Sequence, residues 1–360
     1  MTQNTEHINE FIVSLCDYAE ERGLITRDDR VFAANAICED MHVSSFTDLP
    51  AEPAQPAGAE APEVRLERIL IALCDEAVAA GIIPDTSSSR DNFDTRLMGH
   101  LTPRPSEVSR RFAEDMRVSP RLATDNFYRT SRDSNYIRAA RVARDLRWSV
   151  PSEYGDIDIS VNMSKPEKDP RDIAAALSAP KSGYPACLLC HENVGYPGSV
   201  TAPARQNLRQ IALPLGGEDW YMQYSPYVYY NEHCIVLSPR HEPMRITHAT
   251  FRRLIDFVTV LPHYFIGSNA AGRYSRTTIC RAAATNSPWR ARRSRRSLPS
   301  RNIPLSARAS CAGRCLSFVC ARQIKMSFSR LPTAFSTHGA RTAIPPRSCL
   351  RRPTACRTTR

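Results

Sequence analysis

The chain has 360 residues, enough for one large domain or two ordinary ones. Its formal net charge of +11 would ordinarily raise nucleic acid or an acidic membrane as a partner. The distribution removes that inference, because residues 271–360 hold nineteen Arg, one Lys and no Asp or Glu, whereas residues 1–270 hold 28 basic against 37 acidic groups and carry −9.

The twelve cysteines also split evenly at that boundary. Residues 1–25 form a polar amphipathic pattern with Glu6, Glu10, Asp17, Glu20 and Glu21, unlike a signal peptide. No apolar run approaches the roughly 20 residues that cross a bilayer. These features predict a cytoplasmic protein whose thiols are free or metal-bound rather than bridged.

In chain order, residues 8–48 read as helical. Ile8, Phe11, Ile12, Leu15 and Cys16 repeat at i, i+3 and i+4, and Gly23 supplies a C-cap. The stretch from Leu15 to Ile25 echoes 58 residues later from Leu73 to Ile83, which predicts two similar helix–turn units, too few for a solenoid. Between them, AEPAQPAGAEAPE (51–63) is a Pro/Ala linker. Further helices are expected over Pro105–Asp115 and Ser134–Arg147. The second puts Arg138, Arg141 and Arg144 on one face, either a solvated face pairing with local acids or an anion-binding face.

Residues 156–163 change period: Ile157, Ile159, Val161 and Met163 alternate with polar residues, the pattern of a half-buried strand. The loop SKPEKDP closes it, with Lys165 and Lys168, two of the four lysines in the chain. They can meet a phosphate, although a charged exposed loop is the commoner reason for such a pair. In YPACLLCH (184–191), Cys187 and Cys190 form a Cys-x-x-Cys turn that can present two thiolates to zinc. One such pair is half a site, and His233, His241 and His248 are candidates to complete it. Structural thiols and a redox dithiol are the competing readings, and no thioredoxin-like strand precedes the pair.

Gly216 to Asn269 is the most ordered-looking stretch. Trp220, Tyr221, Tyr224, Tyr227, Tyr229 and Tyr230 cluster in a first strand, Asn231-Glu232 can turn the chain, and His233–Leu237 forms a second strand. A helix follows, with Thr247 as N-cap and Phe251, Leu254, Ile255 and Val258 as its apolar stripe, stopped by Pro262. A last strand runs from Tyr264 to Gly267.

From Ala271 the composition alters abruptly. Acids vanish, periodicity fades, and Arg, Ser, Ala, Pro, Thr and Cys dominate without repeat. Arg outnumbers Lys 44 to 4 over the chain, as in a GC-rich genome, and the segment looks like coding sequence read out of frame. Codons can be chosen for Ala270–Arg290 whose bases, in another frame, give a string containing Ser-His-Asp-His-Leu-Gln-Gly-Gly.

The motifs SNYIR (134–138), NMSKPEKDP (162–170), YPACLLC (184–190), GGEDWYMQYSPYVYYNEHCIVLSPRHEPM (216–244) and YFIGSNA (264–270) together resemble the type II bacterial galactose-1-phosphate uridylyltransferase family, the UDP-glucose–hexose-1-phosphate uridylyltransferases. The resemblance covers about residues 1–270 and extends out of frame, because the family's active-site motif is a Ser-His-Asp-His-Phe-Gln-Gly-Gly string soon after Ser-Asn-Ala. It implies a nucleotidyltransferase of the Leloir pathway, acting on UDP-glucose and galactose-1-phosphate through a uridylyl-histidine. It implies substrate contacts at Lys165, Lys168 and Asn269, and zinc on Cys187, Cys190 and His241, with the first His of the lost motif as fourth ligand. No in-frame residue matches the nucleophile; His263 and His338 do not lie in a His-x-His-x-Gln setting.

The expected fold is α+β. A mainly helical part (1–150) precedes a histidine-triad-like antiparallel transferase half (151–270) whose sheet is left incomplete, and 271–360 is a disordered basic tail. A homodimer is compatible with the resemblance; a membrane or nucleic-acid partner is not expected. The rival reading is an acidic domain with a basic nucleic-acid-binding arm.

Overall fold

Helix α1 (Thr2–Glu21) ends where the sequence supplies glycine. Gly23 adopts φ +67°, Leu24 N–H donates to the Ala19 carbonyl (2.9 Å) and Gly23 N–H to that of Glu20 (2.9 Å). This is a Schellman closure, which needs a left-handed residue after the last turn. Helix α3 (Pro62–Ala79) ends the same way: Gly81 has φ +71°, and Ile82 and Gly81 donate to Ala77 and Val78. The internal echo is therefore two copies of one helix ending.

The computed structural model describes residues 2–48, 60–151, 157–162, 170–179, 183–184, 189–227, 230–242, 245, 247–267 and 279–284, all in the first of the chain's two units, Met1–Arg322. The linker at 51–63 lies outside them except for its last four residues, of which Pro62 and Glu63 begin α3. After α2 (Arg30–Asp40) and α3 come α4 (Ser87–Leu101), α5 (Pro105–Val118), α6 (Pro120–Asp133) and the short α7 (Ala139–Val142). Helices α1 to α4 share one apolar core around Ile12, Leu15, Ile37, Leu73 and Leu97. Helices α5 and α6 instead pack Val108, Phe112 and Phe127 into a second core, shared with a sheet.

The helix expected over Ser134–Arg147 is mostly absent. Asn135 turns left-handed (φ +58°), only Ala139–Val142 is helical, and strand β1 (Leu146–Val150) follows. Asn tolerates that conformation because its side chain hydrogen-bonds locally. The three arginines do meet acids, but from distant helices. Arg138 binds Asp94 and Asp91, Arg141 binds Asp91, and Arg144 binds Glu67.

Strand β2 (Ile157–Val161) pairs antiparallel with β1, Trp148 opposite Ile159. The expected half-burial does not occur: Leu146, Trp148, Val150, Ile157, Ile159 and Val161 are all exposed. Helix α8 (Pro170–Ser178) follows, anchored by buried Asp172, whose carboxylate accepts from Ser88 N–H (3.2 Å) in the first turn of α4, where the helix dipole favours an anion.

The main sheet has five antiparallel strands in the order β3-β4-β5-β7-β6. Strands β3 (Ile211–Leu215) and β4 (Glu218–Tyr224) form a hairpin over Gly216-Gly217, both at positive φ (63° and 82°), as a two-residue type I′ turn requires. Strand β5 (Cys234–Leu237) follows a turn in which Glu232 takes φ +52°. The expected first strand ends early, at Tyr224, leaving the later tyrosines beyond it. Helix α9 (His248–Val260) is capped by Thr247, whose Oγ1 accepts from Thr250 N–H (3.2 Å). Its buried line is Leu254 and Phe257, continuing to Leu261, one step round from the stripe read in the sequence; Phe251, Ile255 and Val258 are half-buried.

Strand β6 (Tyr264–Gly267) lies at an edge, and β7 (Ile279–Ala284) fills the place between it and β5. This corrects part of one expectation: six residues of the supposed disordered tail form an internal strand with Ala282, Ala283 and Ala284 buried, so the sheet continues past β5. Ladder hydrogen bonds come from the backbone and do not read side chains, so a short run of small residues can occupy the slot.

Candidate functional site

The segment after the Cys-x-x-Cys turn makes one 3-10 turn, His191–Asn193, with Cys190 extended before it and buried. Cys190 Sγ lies 3.6 Å from His241 Nδ1, on the loop after β5, and His241 Nε2 lies 2.8 Å from Glu192 Oε1. One candidate ligand atom from each of Cys190, Glu192 and His241 falls within 4.8 Å of the others. The hydrogen bond from His241 draws the Glu192 carboxyl below its ordinary range. A thiol sulfur, an imidazole nitrogen and a carboxylate suit zinc, a borderline-soft cation. The ring can offer only one nitrogen to an ion, so Nδ1, beside Cys190, would be the ligating atom, and Glu192 on Nε2 would fix the tautomer, an arrangement common around metal-bound histidines.

Of the three histidines proposed to complete the site, the structure brings only His241 to Cys190. His233 is buried, and its Nδ1 meets the Tyr227 carbonyl (2.9 Å). His248 begins α9 and is exposed. Cys187 lies outside the described residues, as do Lys165, Lys168 and Asn269. Glu192 was not anticipated; its place two residues after Cys190 was the available signal.

Behind this cluster a polar chain runs into the sheet. His191 stacks flat on Tyr221 (centroids 4.0 Å apart, 9°) and shares a 2.8 Å hydrogen bond with Gln210 Oε1. Gln210 donates to Gln223, which donates to Tyr136. The next buried network links Tyr224 and Tyr264 (2.9 Å between hydroxyls): Tyr264 donates to Glu232, and Tyr224 donates to Tyr264 or to the Thr124 carbonyl. Nearby, His263 Nε2 meets Thr124 Oγ1 at 2.8 Å, and burial depresses the imidazole pKa. The histidine-free strand β7 lies beside this network, and its Ala284 N–H donates to the Asn231 carbonyl (3.2 Å).

Comparison with known proteins places these observations. The family described as galactose-1-phosphate uridyl transferase, N-terminal domain, matches residues 62–243. The chain is 46% identical over 264 residues to the galactose-1-phosphate uridylyltransferase of Butyrivibrio fibrisolvens, covering 73% of this chain and 66% of that protein. It is 47% identical over 263 residues to that of Caldanaerobacter subterraneus subsp. tengcongensis (72% and 49%) and 44% over 265 residues to that of Bacillus subtilis (73% and 50%). In most of these pairings the chain spans about half the length of the relative. No solved structure matches it significantly. The chain belongs to the galactose-1-phosphate uridylyltransferase family.

Proposed function

We propose that this family member carries the scaffold of an enzyme moving a uridylyl group from UDP-glucose to galactose-1-phosphate, and that the chain is catalytically silent. One observation carries the second half: the strand that follows Asn269 is Ile279–Ala284, and it contains no histidine. In the reaction, an imidazole nitrogen attacks the α-phosphorus of UDP-glucose. The bond to the bridging oxygen breaks, glucose-1-phosphate leaves, and a phosphate oxygen of galactose-1-phosphate then displaces the imidazole. Neutral imidazole suits both halves, being nucleophilic and a good leaving group. Donors around the phosphates stabilise the developing charge, and each is worth on the order of 3 kcal/mol. Such groups cannot replace the nucleophile.

Three described histidines near the sheet have other engagements. His191 is held by Gln210 and Tyr221, His241 by Cys190 and Glu192, and His263 by Thr124. Lys165, Lys168 and Asn269 remain the proposed substrate contacts, and the histidine-triad-like half (151–270) behind a helical part (1–150) remains the proposed organisation. Zinc on Cys187, Cys190 and His241, with Glu192 orienting His241, would fix the loop after β5 against the turn before β3. The composition break after residue 270 is read as a frame change. Among the described residues no helix is long and apolar enough to cross a membrane, and a cytoplasmic site of action is proposed.

The test is uridylyl exchange between UDP-glucose and labelled glucose-1-phosphate with the purified full chain. The expected result is no exchange above the enzyme-free control. Turnover well above it overturns the proposal of silence. Sequencing the DNA across codons 265–290 tests the frame change separately.

A further inference from the structure

The polar chain that starts at His191 runs through Gln210 and Gln223 to the Tyr136 hydroxyl, where it stops. That oxygen accepts from Gln223 Nε2 (3.4 Å), and its own proton has no acceptor among the described residues. Arg205 stands beside it. Asn207, two residues on, donates to the Ser134 carbonyl (2.9 Å), tying this segment to the one that carries Tyr136. Burial raises the Tyr136 pKa, and the Arg205 charge opposes that rise. Arg205 is half-buried and its charge is uncompensated. NH1 donates to the adjacent Ala204 carbonyl (3.3 Å), Nε is buried with no partner, and no acid pairs with the guanidinium among the described residues. Every other buried or half-buried arginine in the described structure pairs with Asp or Glu, except Arg209, which four carbonyls hold. A buried donor left unpaired is costly, and rare enough in folded proteins to call for a reason.

We propose that Arg205, with the Tyr136 hydroxyl as second donor, receives a phosphoryl oxyanion: the diphosphate of a nucleotide sugar or the phosphate of a sugar phosphate. Two donors and a positive charge with no carboxylate beside them select an anion over a neutral hydroxyl or a cation, and guanidinium matches phosphate geometry. The site is built before a ligand arrives. Arg205 N–H donates to the Tyr196 carbonyl (2.7 Å) and its carbonyl accepts from Gly195 N–H (3.0 Å), closing the base of the 196–204 loop. Asn92 on α4 pins that loop, accepting from Ala204 N–H (2.8 Å) and donating to the Ser199 carbonyl (3.2 Å). A fixed backbone lowers the ordering cost of binding. Half-buried Arg205 and exposed Tyr227, whose hydroxyl also acts on Tyr136, leave the place open to solvent. Gln223 and Tyr221 lie on one face of β4, so the pair belongs to the sheet face that carries His191. The identity of the ligand rests on the uridylyltransferase reading above; the anion site rests on Arg205 and Tyr136 alone.

The experiment is titration calorimetry of the full chain with UDP-glucose, galactose-1-phosphate, sodium pyrophosphate and uridine. Wild type is compared with Arg205→Met, Arg205→Lys and Tyr136→Phe, each checked for folding by urea unfolding. Arg205→Met should weaken the phosphate-bearing ligands about 10- to 100-fold, as loss of a charge-assisted hydrogen bond does, and leave uridine unchanged. Lysine should restore part of the affinity, since it keeps the charge but not the fork. Tyr136→Phe removes a single oxygen and should weaken the same ligands about 3- to 10-fold, which keeps the test alive if Arg205→Met does not fold. Dependence of UDP-glucose on Arg205 puts the diphosphate at this site, and dependence of galactose-1-phosphate alone puts the acceptor's phosphate there. Arg205-dependent binding of pyrophosphate without either sugar ligand upholds the anion site and removes the uridylyltransferase reading. UDP-glucose bound equally by wild type, Arg205→Met and Tyr136→Phe overturns the anion site and leaves that reading standing. A wild type that binds none of the three phosphate-bearing probes also overturns the site.

Discussion

Replacing Arg138 by Met should destabilise the fold by about 3–5 kcal/mol at pH 8, because it breaks a buried charge pair by removing one partner. Arg138 sits between Asp94 and Asp91; its NH2 donates to Asp94 Oδ1 (2.7 Å) and to the Asp91 carbonyl (3.1 Å). Burial pushes the Asp94 carboxyl up, with Arg138 pulling against it. Burial acts on Asp91 in the same sense, but Arg138 and Arg141 together hold that carboxyl below its ordinary range. Methionine keeps the apolar stem and removes the guanidinium, so the loss is mainly the charge left unpaired on Asp94. This makes the effect pH-dependent in a defined direction. Without Arg138, the folded-state pKa of Asp94 rises further above its unfolded value of about 4, and the folded state holds a proton that the unfolded state has released. Stability is then lost as pH rises through that interval, so the penalty of the substitution should be smaller at pH 5 than at pH 8. Asp94→Asn added to Arg138→Met should recover at least half the loss, since a neutral amide is cheaper to bury. The assay is urea unfolding followed by far-ultraviolet circular dichroism at both pH values. A penalty below about 1.5 kcal/mol, or one unchanged by pH, would refute the reasoning by assigning the loss to packing alone.

Arg209 is the converse case, a buried cation held by carbonyls: its Nε donates to Pro103 (2.6 Å), NH1 to Leu208 (2.7 Å) and Gln206 (2.8 Å), and NH2 to Thr102 (3.1 Å). Burial, with Arg104 adding, lowers its pKa to about 10, so it remains charged at neutral pH. Arg209→Met should cost about 2–4 kcal/mol in the same unfolding assay by stranding carbonyls at the end of α4, and Lys should rescue only partly because it lacks the fork. For the proposed metal site, cobalt titration of the full chain should give thiolate-to-cobalt absorption that disappears in Cys190→Ser, and Glu192→Gln should weaken the affinity about 10- to 100-fold, the usual effect of losing an orienting partner. An unchanged spectrum in Cys190→Ser would remove that thiol from the ligand set.

Local chemistry made part of this structure legible. Gly23, Gly81 and Thr247 each have a conformational or capping role that few other residues fill, and each appears where the chain predicts. The helix over Ser134–Arg147 was misread because its arginines mimic an exposed helical face. Their partners Asp91, Asp94 and Glu67 lie more than forty residues away, and no local pattern reports such pairing. The β1–β2 pair misled in the opposite way, since alternation predicts which residues share a face but not whether anything covers it. At the candidate site, Cys190 and His241 lie side by side, and Glu192 joins them through a 3-10 turn that periodicity does not register. Strand β7 was missed altogether, because an alanine run beside arginines has no strand signature and is placed by the open backbone edges of β5 and β6.

That placement separates two kinds of information held in one sheet. The slot between β5 and β6 accepts Ile279–Ala284 on backbone geometry, while a nucleophile there would have to be specified letter by letter. If the composition break is the frame change proposed above, it would erase the second kind and spare the first. Cellular surveillance that recognises unpaired strand edges would find none at this slot, so under that proposal the change would surface as missing uridylyl transfer rather than as an exposed strand edge.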